Sequence, residues 1–214
     1  MRETMSEPVE DLAARPAPGE GSGVIHTSSR QGLADSALGT RNLMTIAALA
    51  VVGMILLLPL NYLAPAAGAA PGAVLIGCSI MGLWVIPFLM PATVVRRPGA
   101  VMIASLIIGI IGVFTTPSGP SAIIGNLIGG AFIEIPLALM LYRFWTWWSY
   151  LLASAVFGLC NGLMYVALLQ ATVGLGTSAP MVVVAVASAV AGGGLAIVLT
   201  RLLHNAGVGV DHRA

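Results

Sequence analysis

The stretch Leu43–Leu63, with the sequence LMTIAALAVVGMILLLPLNYL, decides the class of this protein. It contains no charged residue, and it is long enough to cross a bilayer as one helix, which requires about 20 apolar residues. Five further apolar runs follow it along the chain. Their approximate bounds are Gly72–Val95, Gly99–Thr116, Pro120–Leu141, Ser149–Val173 and Pro180–Leu203. The sequence therefore predicts an all-α integral membrane protein with six transmembrane helices.

The composition supports the same class and excludes several others. The 214-residue chain is 58% hydrophobic and 8% charged, with a mean hydropathy of +0.98, whereas soluble domains are about 25% charged. All nine Lys and Arg residues are arginines, so a P-loop, a Schiff base or a lysine base is excluded. The net charge of +1 argues against a nucleic-acid partner, because phosphate binding requires clustered cations.

The chain divides into one membrane domain and two tails. Residues 1–40 are polar and rich in Gly, Pro, Ala and Ser, without apolar periodicity, and we expect a disordered tail there. Residues 41–204 form the predicted transmembrane domain, and residues 205–214 form a second short tail. No apolar run lies near Met1, which argues against a cleaved signal peptide.

The distribution of arginine predicts the orientation of the domain. Connections near residues 63–71, 116–121 and 174–179 contain no Lys or Arg. The alternate ends of the six runs carry Arg30, Arg41, Arg96, Arg97, Arg143, Arg201 and Arg213. By the positive-inside rule, these ends and both termini lie in the cytoplasm. We therefore expect a multi-pass protein of the plasma membrane, in contact with the lipid bilayer.

Glu134 is the strongest functional signal in the sequence. It is the only acidic residue between Asn42 and Thr200, and we expect it near mid-depth of the fourth span. A charge at the bilayer centre costs about 3 kcal/mol on insertion scales, so such a residue faces a cavity, pairs with a cation or stays protonated. We interpret Glu134 as a ligand or proton site. The structural alternative is a protonated acid that bonds to a neighbouring helix.

Other polar and aromatic residues are placed around Glu134 by the predicted helices. Asn126, Gly130 and Glu134 follow an i, i+4, i+8 spacing and share a broad helix face. Further candidates in the middle or outer halves of the spans are Tyr62, Trp84, Asn161 and Tyr165. Together they predict a polar pocket that opens outward, with Glu134 at its floor. Individually, such residues often only bond to another helix.

Catalytic and metal chemistry have no support in the sequence. The three histidines lie in the tails or at the end of the last helix, which excludes a membrane serine protease and zinc chemistry. Cys78 and Cys160 lie inside apolar runs and are interpreted as small apolar residues. The spans contain neither a pair of acids for acid–base hydrolysis nor a charged ring typical of channels. We therefore predict no enzyme activity, no cofactor and no metal site.

Three stretches carry a resemblance to a known family. They are Gly82-Leu-Trp84-Val-Ile-Pro87, the turn Arg96-Arg97-Pro98-Gly99-Ala100, and Gly130-Ala-Phe-Ile-Glu134 followed by Tyr142-Arg143. With them, the chain resembles the substrate-binding S component of an energy-coupling factor (ECF) vitamin transporter, an ABC importer. It is most similar to the YkoE-type subgroup, which is associated with thiamine and hydroxymethylpyrimidine. The resemblance covers roughly Arg41 to Gln170.

This resemblance implies a function for the chain as a subunit. The S component would bind thiamine or a related pyrimidine from the outside and topple to release it inside, while a T component and two ATPase subunits supply the energy. Glu134 would hold a cationic or donor-rich ligand, and Trp84, Tyr62 or Tyr165 would stack on its rings. Members often carry an Ala-x-x-x-Ala pattern that docks the T component on the first helix. The candidates for that role here are Ala47, Ala50 and Gly53.

Two alternatives remain open at the level of sequence. In one, Glu134 is the proton-coupling acid of a secondary transporter, which predicts proton-dependent uptake by this chain alone. In the other, the chain is a non-transporting scaffold whose small-residue helix faces bind a partner. The scaffold predicts no small-molecule binding and no effect of Glu134→Gln.

Overall fold

The computed structural model describes residues 39–67, 71–173 and 179–207, which form a bundle of helices joined by turns. Most of the predicted tails 1–40 and 205–214, namely residues 1–38 and 208–214, lies outside the described residues. The helices, in chain order, are α1 Thr40–Ala67, α2 Pro71–Ser79, α3 Met81–Val95, α4 Ala100–Thr115, α5 Ser121–Leu139, α6 Trp147–Val173 and α7 Ala179–Asn205.

The predicted apolar runs correspond to these helices, with one difference in the number of spans. Helices α1, α4, α5, α6 and α7 each match one run, and α2 and α3 together match the second. Five segments in the described part of the chain are long and apolar enough to cross a membrane, whereas α4, with 16 residues, is shorter. The structure thus confirms an all-helical, multi-pass membrane architecture but not a count of six full-length spans. Helix α4 is short because the residues at both of its ends have non-helical backbone conformations. Gly99, which precedes it, is in the left-handed conformation (φ 80°), and Thr116, which follows it, is in an extended conformation.

The second apolar run is divided because a side chain from α7 enters its hydrogen-bond ladder. The Leu83 amide donates to the Ile80 carbonyl at 2.9 Å. This bond spans three residues, whereas the bonds of an α-helix span four. The Gly82 amide donates to Ser188 Oγ at 2.9 Å, and the Ser188 hydroxyl donates to the Ser79 carbonyl. Insertion of a side chain into the ladder is a known cause of helix breaks. The break between α2 and α3 is therefore a tertiary effect.

Helices α3 and α7 pack at very short range beside this break. A Cβ atom on Gly192 would overlap with the backbone of Gly82, and a Cβ atom on Gly82 would overlap with the backbone of Ser188. Small residues allow such close approach between helices in lipid, where apolar burial gives little driving force. This contact fixes α3, which carries several residues of the site described below.

The small residues of α1 face the interior of the same chain. Ala50 and Gly53 are buried, and Ala47 is half-buried. A Cβ atom on Gly53 would lie 2.6 Å from the Cβ atom of Pro87, so Gly53 is a contact point between α1 and α3. The predicted docking surface of Ala47, Ala50 and Gly53 is therefore largely occupied by this chain's own helices in this structure.

The arginines in the described part of the chain lie at one end of the bundle, here called the arginine end. Arg41 lies at the start of α1, Arg96 and Arg97 follow α3, Arg143 follows α5, and Arg201 lies near the end of α7. A hydrogen bond of 2.6 Å between the hydroxyl groups of Thr93 and Thr200 joins the arginine ends of α3 and α7. This sidedness agrees with the predicted arginine distribution. That the arginine end faces the cytoplasm remains a prediction.

Candidate functional site

A cavity of about 410 Å³ lies at the opposite end of the bundle from the arginines. It is bordered by the end of α1, the α2–α3 pair, the α4–α5 connection, the first half of α5 and the second half of α6. Pockets of about 300–1,000 Å³ are typical for small-molecule ligands. The residues that line it are Asn61, Gly77, Met81, Trp84, Phe88, Thr116, Ser118, Ser121, Ala122, Gly125, Asn126, Gly129, Phe157, Asn161, Met164 and Tyr165.

The lining combines aromatic rings with neutral polar groups. Trp84, Phe88, Phe157 and Tyr165 supply ring faces and edges, and three asparagines and three hydroxyl residues supply hydrogen-bonding groups. None of the lining residues is Asp, Glu, Lys, Arg or His. An apolar cavity with a few polar groups is the usual form of a site that orients a small organic ligand.

Two asparagine side chains in the cavity are held by their own helices. Asn126 Nδ2 donates to the Ala122 carbonyl at 2.7 Å, and Asn161 Nδ2 donates to the Phe157 carbonyl at 3.2 Å. Each bond fixes the orientation of the amide and leaves its Oδ1 oxygen as an acceptor. A bound ligand with amino or hydroxyl groups could donate to these two oxygens.

The aromatic wall of the cavity packs beside Gly129 of α5. The ring centroids of Phe88 and Phe157 are 6.1 Å apart with an interplanar angle of 42°. A Cβ atom on Gly129 would lie 3.5 Å from the Phe88 ring and 3.7 Å from the Phe157 ring. The two rings thus lie beside Gly129 over α5, and they form a surface on which a planar ligand can pack.

The structure brings four of the six predicted binding residues into this cavity. Trp84, Asn126, Asn161 and Tyr165 all line it. Tyr62 does not: its side chain is 58% exposed, and its hydroxyl donates to the Thr115 carbonyl at 3.1 Å. That bond ties the end of α1 to the end of α4 outside the cavity. Glu134 is also absent from the lining.

Glu134 lies at the arginine end and has protein partners there. Its side chain is 7% exposed, and Oε1 accepts hydrogen bonds from the Gly99 amide and the Tyr142 hydroxyl, both at 2.7 Å. Gly99 precedes α4, so the carboxyl group sits at the positive end of that helix dipole. On α5 the cavity lining ends at Gly129, and Glu134 is roughly 7.5 Å further along the axis. The predicted position at the pocket floor is therefore not what the structure shows.

The i, i+4, i+8 spacing of Asn126, Gly130 and Glu134 suggested a surface of α5 that faces a ligand. In the structure, these three residues lie along the contact between α5 and α4. Asn126 lies near Gly112, where a Cβ atom would be 3.9 Å from Asn126 Nδ2. One turn further along α5, a Cβ atom on Gly130 would overlap with Ser105. Glu134 then reaches the amide that precedes α4. The face shared by Asn126, Gly130 and Glu134 is thus the seam between two antiparallel helices.

Tyr142 completes the arrangement around Glu134. Desolvation, with smaller contributions from the hydrogen bond to Glu134 and its charge, raises the pKa of the Tyr142 phenol above its ordinary value. The phenol therefore remains a hydrogen-bond donor at neutral pH. Leu141 and Tyr142 both have φ 53°, a left-handed conformation that is unfavourable for bulky residues. The bond to Glu134 helps to hold this strained connection between α5 and α6.

Comparison with known proteins identifies the family. Residues 41–160, more than half of the chain, match the family described as "ABC-type cobalt transport system, permease component". This chain belongs to that family. No curated protein matches this sequence.

A solved structure supports the fold of this chain. It is described as "Crystal structure of an S-component of ECF transporter" and matches with a TM-score of 0.71 at 19% sequence identity. The match covers 79% of this chain and 87% of the other. At this identity the likeness concerns the fold, and it confirms the predicted S-component architecture. It does not test the narrower resemblance to the YkoE-type subgroup.

Several residues that line the cavity of this chain were not predicted from the sequence. Phe88 lies one helical turn after Trp84, and Phe157 lies one turn before Asn161. The i, i+4 spacing from a polar or aromatic candidate could have identified both. Gly125 and Gly129 precede and follow Asn126 on α5, and they leave space instead of supplying a group.

The described part of this chain contains no group of three or more His, Cys, Asp or Glu residues that could hold a metal ion. Cys78 is buried and Cys160 is half-buried, and neither lines the cavity. The groups that the cavity offers are therefore ring surfaces, amides, hydroxyls and thioethers.

Proposed function

We propose that this protein is the substrate-capture subunit of an ECF-type importer and binds thiamine or a related pyrimidine, such as hydroxymethylpyrimidine. The observation that carries the proposal is the cavity of about 410 Å³, with its ring surfaces and two amide oxygens open to a ligand. The S-component fold supports it. Energy for transport would come from a separate T component and two ATPase subunits.

The position of the cavity suits capture from the outside. The cavity lies at the end of the bundle without Lys or Arg. With the arginine end in the cytoplasm, as the positive-inside rule expects, the cavity is on the outer side of the membrane. An importer subunit requires its binding site on that side before release.

An organic ligand suits the cavity better than a cobalt ion, the cargo in the family's description. Divalent first-row metals in proteins are bound by imidazole, carboxylate or thiolate groups. The lining provides none of these. Flat rings with amino or hydroxyl groups can instead pack against Trp84 and Tyr165 and donate to Asn126 and Asn161.

The position of Glu134 gives little support to the alternative of a proton-coupled secondary transporter. Such a mechanism needs an acid that exchanges protons with the substrate path. Here the carboxyl oxygen bonds to Gly99 and Tyr142, and Glu134 does not line the cavity.

A direct binding titration tests the proposal. The purified chain in detergent is titrated with thiamine and with hydroxymethylpyrimidine, and tryptophan fluorescence and heat are both followed. Trp84 lines the cavity, whereas the other tryptophans lie at residues 145–148, at the arginine end. We expect saturable binding in both readouts, with the fluorescence change lost in Trp84→Phe and the heat retained. Absence of binding by a folded protein would refute the assignment to thiamine or a pyrimidine.

A variant that fills the cavity provides a matched control. A Cβ atom on Gly125 has no neighbour within 4 Å, so the side chain of Gly125→Leu extends into the cavity without displacing the helices. We expect it to abolish binding while the protein stays folded. Gly194→Leu is the control, because Gly194 also has open space around it but lies on α7 outside the cavity. Equal loss in both variants would contradict the assignment of the cavity as the binding site.

A further inference from the structure

We infer that the cavity selects an uncharged, flat heterocycle with hydrogen-bond donors over a cation of the same shape. The inference rests on the proposed function and narrows the class of its substrate. It follows from the charges, hydrogen bonds and rings of the lining residues.

The first step concerns charge. The lining contains no acidic side chain, and Glu134, the only acid between Asn42 and Thr200, is at the other end of the bundle with two protein donors on its carboxyl group. A cation that enters the cavity gives up part of its hydration without gaining a counter-ion. Burial of an unpaired charge is strongly unfavourable, whereas burial of a neutral ring is not.

The second step concerns the aromatic rings. Trp84 and Tyr165 can attract a cation through their ring faces. The same rings also stack on a neutral heterocycle. Stacking therefore contributes to the affinity for the cation and for the neutral heterocycle alike. The difference in affinity between them is determined by the cost of removing water from the positive charge.

The third step concerns hydrogen bonds. The Oδ1 atoms of Asn126 and Asn161 remain acceptors, because the amide nitrogens already donate to their own helices. Both acceptors are neutral amide oxygens. They match amino and hydroxyl donors on a ligand, and they supply no formal charge to balance a quaternary nitrogen.

A matched pair of ligands tests the inference. Thiamine carries a positively charged ring nitrogen, and its thiophene analogue has a carbon atom at that position and no charge. We expect the analogue to bind at least about tenfold more tightly than thiamine, by calorimetry on the purified chain. Tighter binding of thiamine would overturn the inference while the proposed capture function stands. If thiamine, the analogue and hydroxymethylpyrimidine all fail to bind a folded protein, both the inference and the proposed function are wrong.

A charge variant provides a second, independent test. Asn126→Asp keeps the size of the side chain and adds a negative charge to the lining. We expect it to raise the affinity for thiamine relative to the analogue by at least about tenfold. Glu134→Gln is the control, since its carboxyl group lies outside the cavity, and we expect the same ligand preference as in the wild type. A selective loss of thiamine binding in Glu134→Gln would show that Glu134 acts on the ligand and would overturn the inference.

Discussion

Replacing Glu134 by glutamine distinguishes a structural role of this residue from a role in binding the ligand. In the structure, Oε1 of Glu134 accepts hydrogen bonds of 2.7 Å from the Gly99 amide and from the Tyr142 hydroxyl. These bonds join α4, α5 and the α5–α6 connection at the arginine end. Glutamine retains an acceptor oxygen and removes the charge. We therefore expect a loss of stability without a loss of affinity.

The expected size of the effect follows from the two bonds. A hydrogen bond to a charged group contributes about 1.5–3 kcal/mol, roughly twice the value of a neutral one. A charge at a helix N-terminus adds about 0.3–1 kcal/mol. Glu134→Gln should then lower the free energy of unfolding by about 1–3 kcal/mol. Tyr142→Phe removes one donor and should lower it by about 1.5–3 kcal/mol.

Thermal unfolding in detergent measures this loss, and a double-mutant cycle isolates the pair. Because Glu134 and Tyr142 share one hydrogen bond, the double variant should be less destabilised than the sum of the single variants, by about 1 kcal/mol or more. Affinity for hydroxymethylpyrimidine should stay within about twofold of the wild type, since neither residue lines the cavity. Loss of ligand binding with unchanged unfolding would refute the structural role and restore Glu134 as the ligand anchor.

Three further variants test the packing and the cavity. Ser188→Ala should lower the free energy of unfolding by about 1–3 kcal/mol, because the Gly82 amide and the Ser79 carbonyl lose their partner. Ser154→Ala is the control: it loses only a hydrogen bond to its own helix, and it should have a smaller effect on thermal unfolding in detergent. Gly192→Ala should cost about 1–3 kcal/mol through overlap with α3, whereas Gly194→Ala, at an open position, should be neutral or stabilising. Trp84→Ala should weaken binding, measured by heat, by about 1–2 kcal/mol, and unchanged affinity would exclude stacking on this residue.

The sequence predicted the helices well because uninterrupted apolar runs in a membrane protein allow few other structures. The runs that match α1 and α7 differ from the helices only at their ends. The break at Ile80 could not be predicted in the same way. It depends on Ser188, which is more than 100 residues away along the chain and reaches α3 only after α7 has packed.

Some of the residues that line the cavity were predicted from the sequence, for a physical reason. Polar residues in apolar runs stand out, and Asn126 and Asn161 do line the cavity. Phe88 and Phe157 carry no such signal, since an apolar residue on a membrane helix can face lipid, another helix or a cavity. The cost of a buried charge shows that Glu134 needs partners, but it does not specify whether they belong to a ligand or to the protein.

The distance between the cavity and the arginine end has a consequence for how new substrates could evolve in this family. The residues that line the cavity lie at one end of the bundle, whereas the arginines and the bonds around Glu134 lie at the other. Substitutions that reshape the cavity therefore leave the determinants of membrane insertion in place. If the cavity binds the cargo as proposed, we expect such a scaffold to change its cargo one residue at a time, with each intermediate inserting in the orientation that the positive-inside rule predicts.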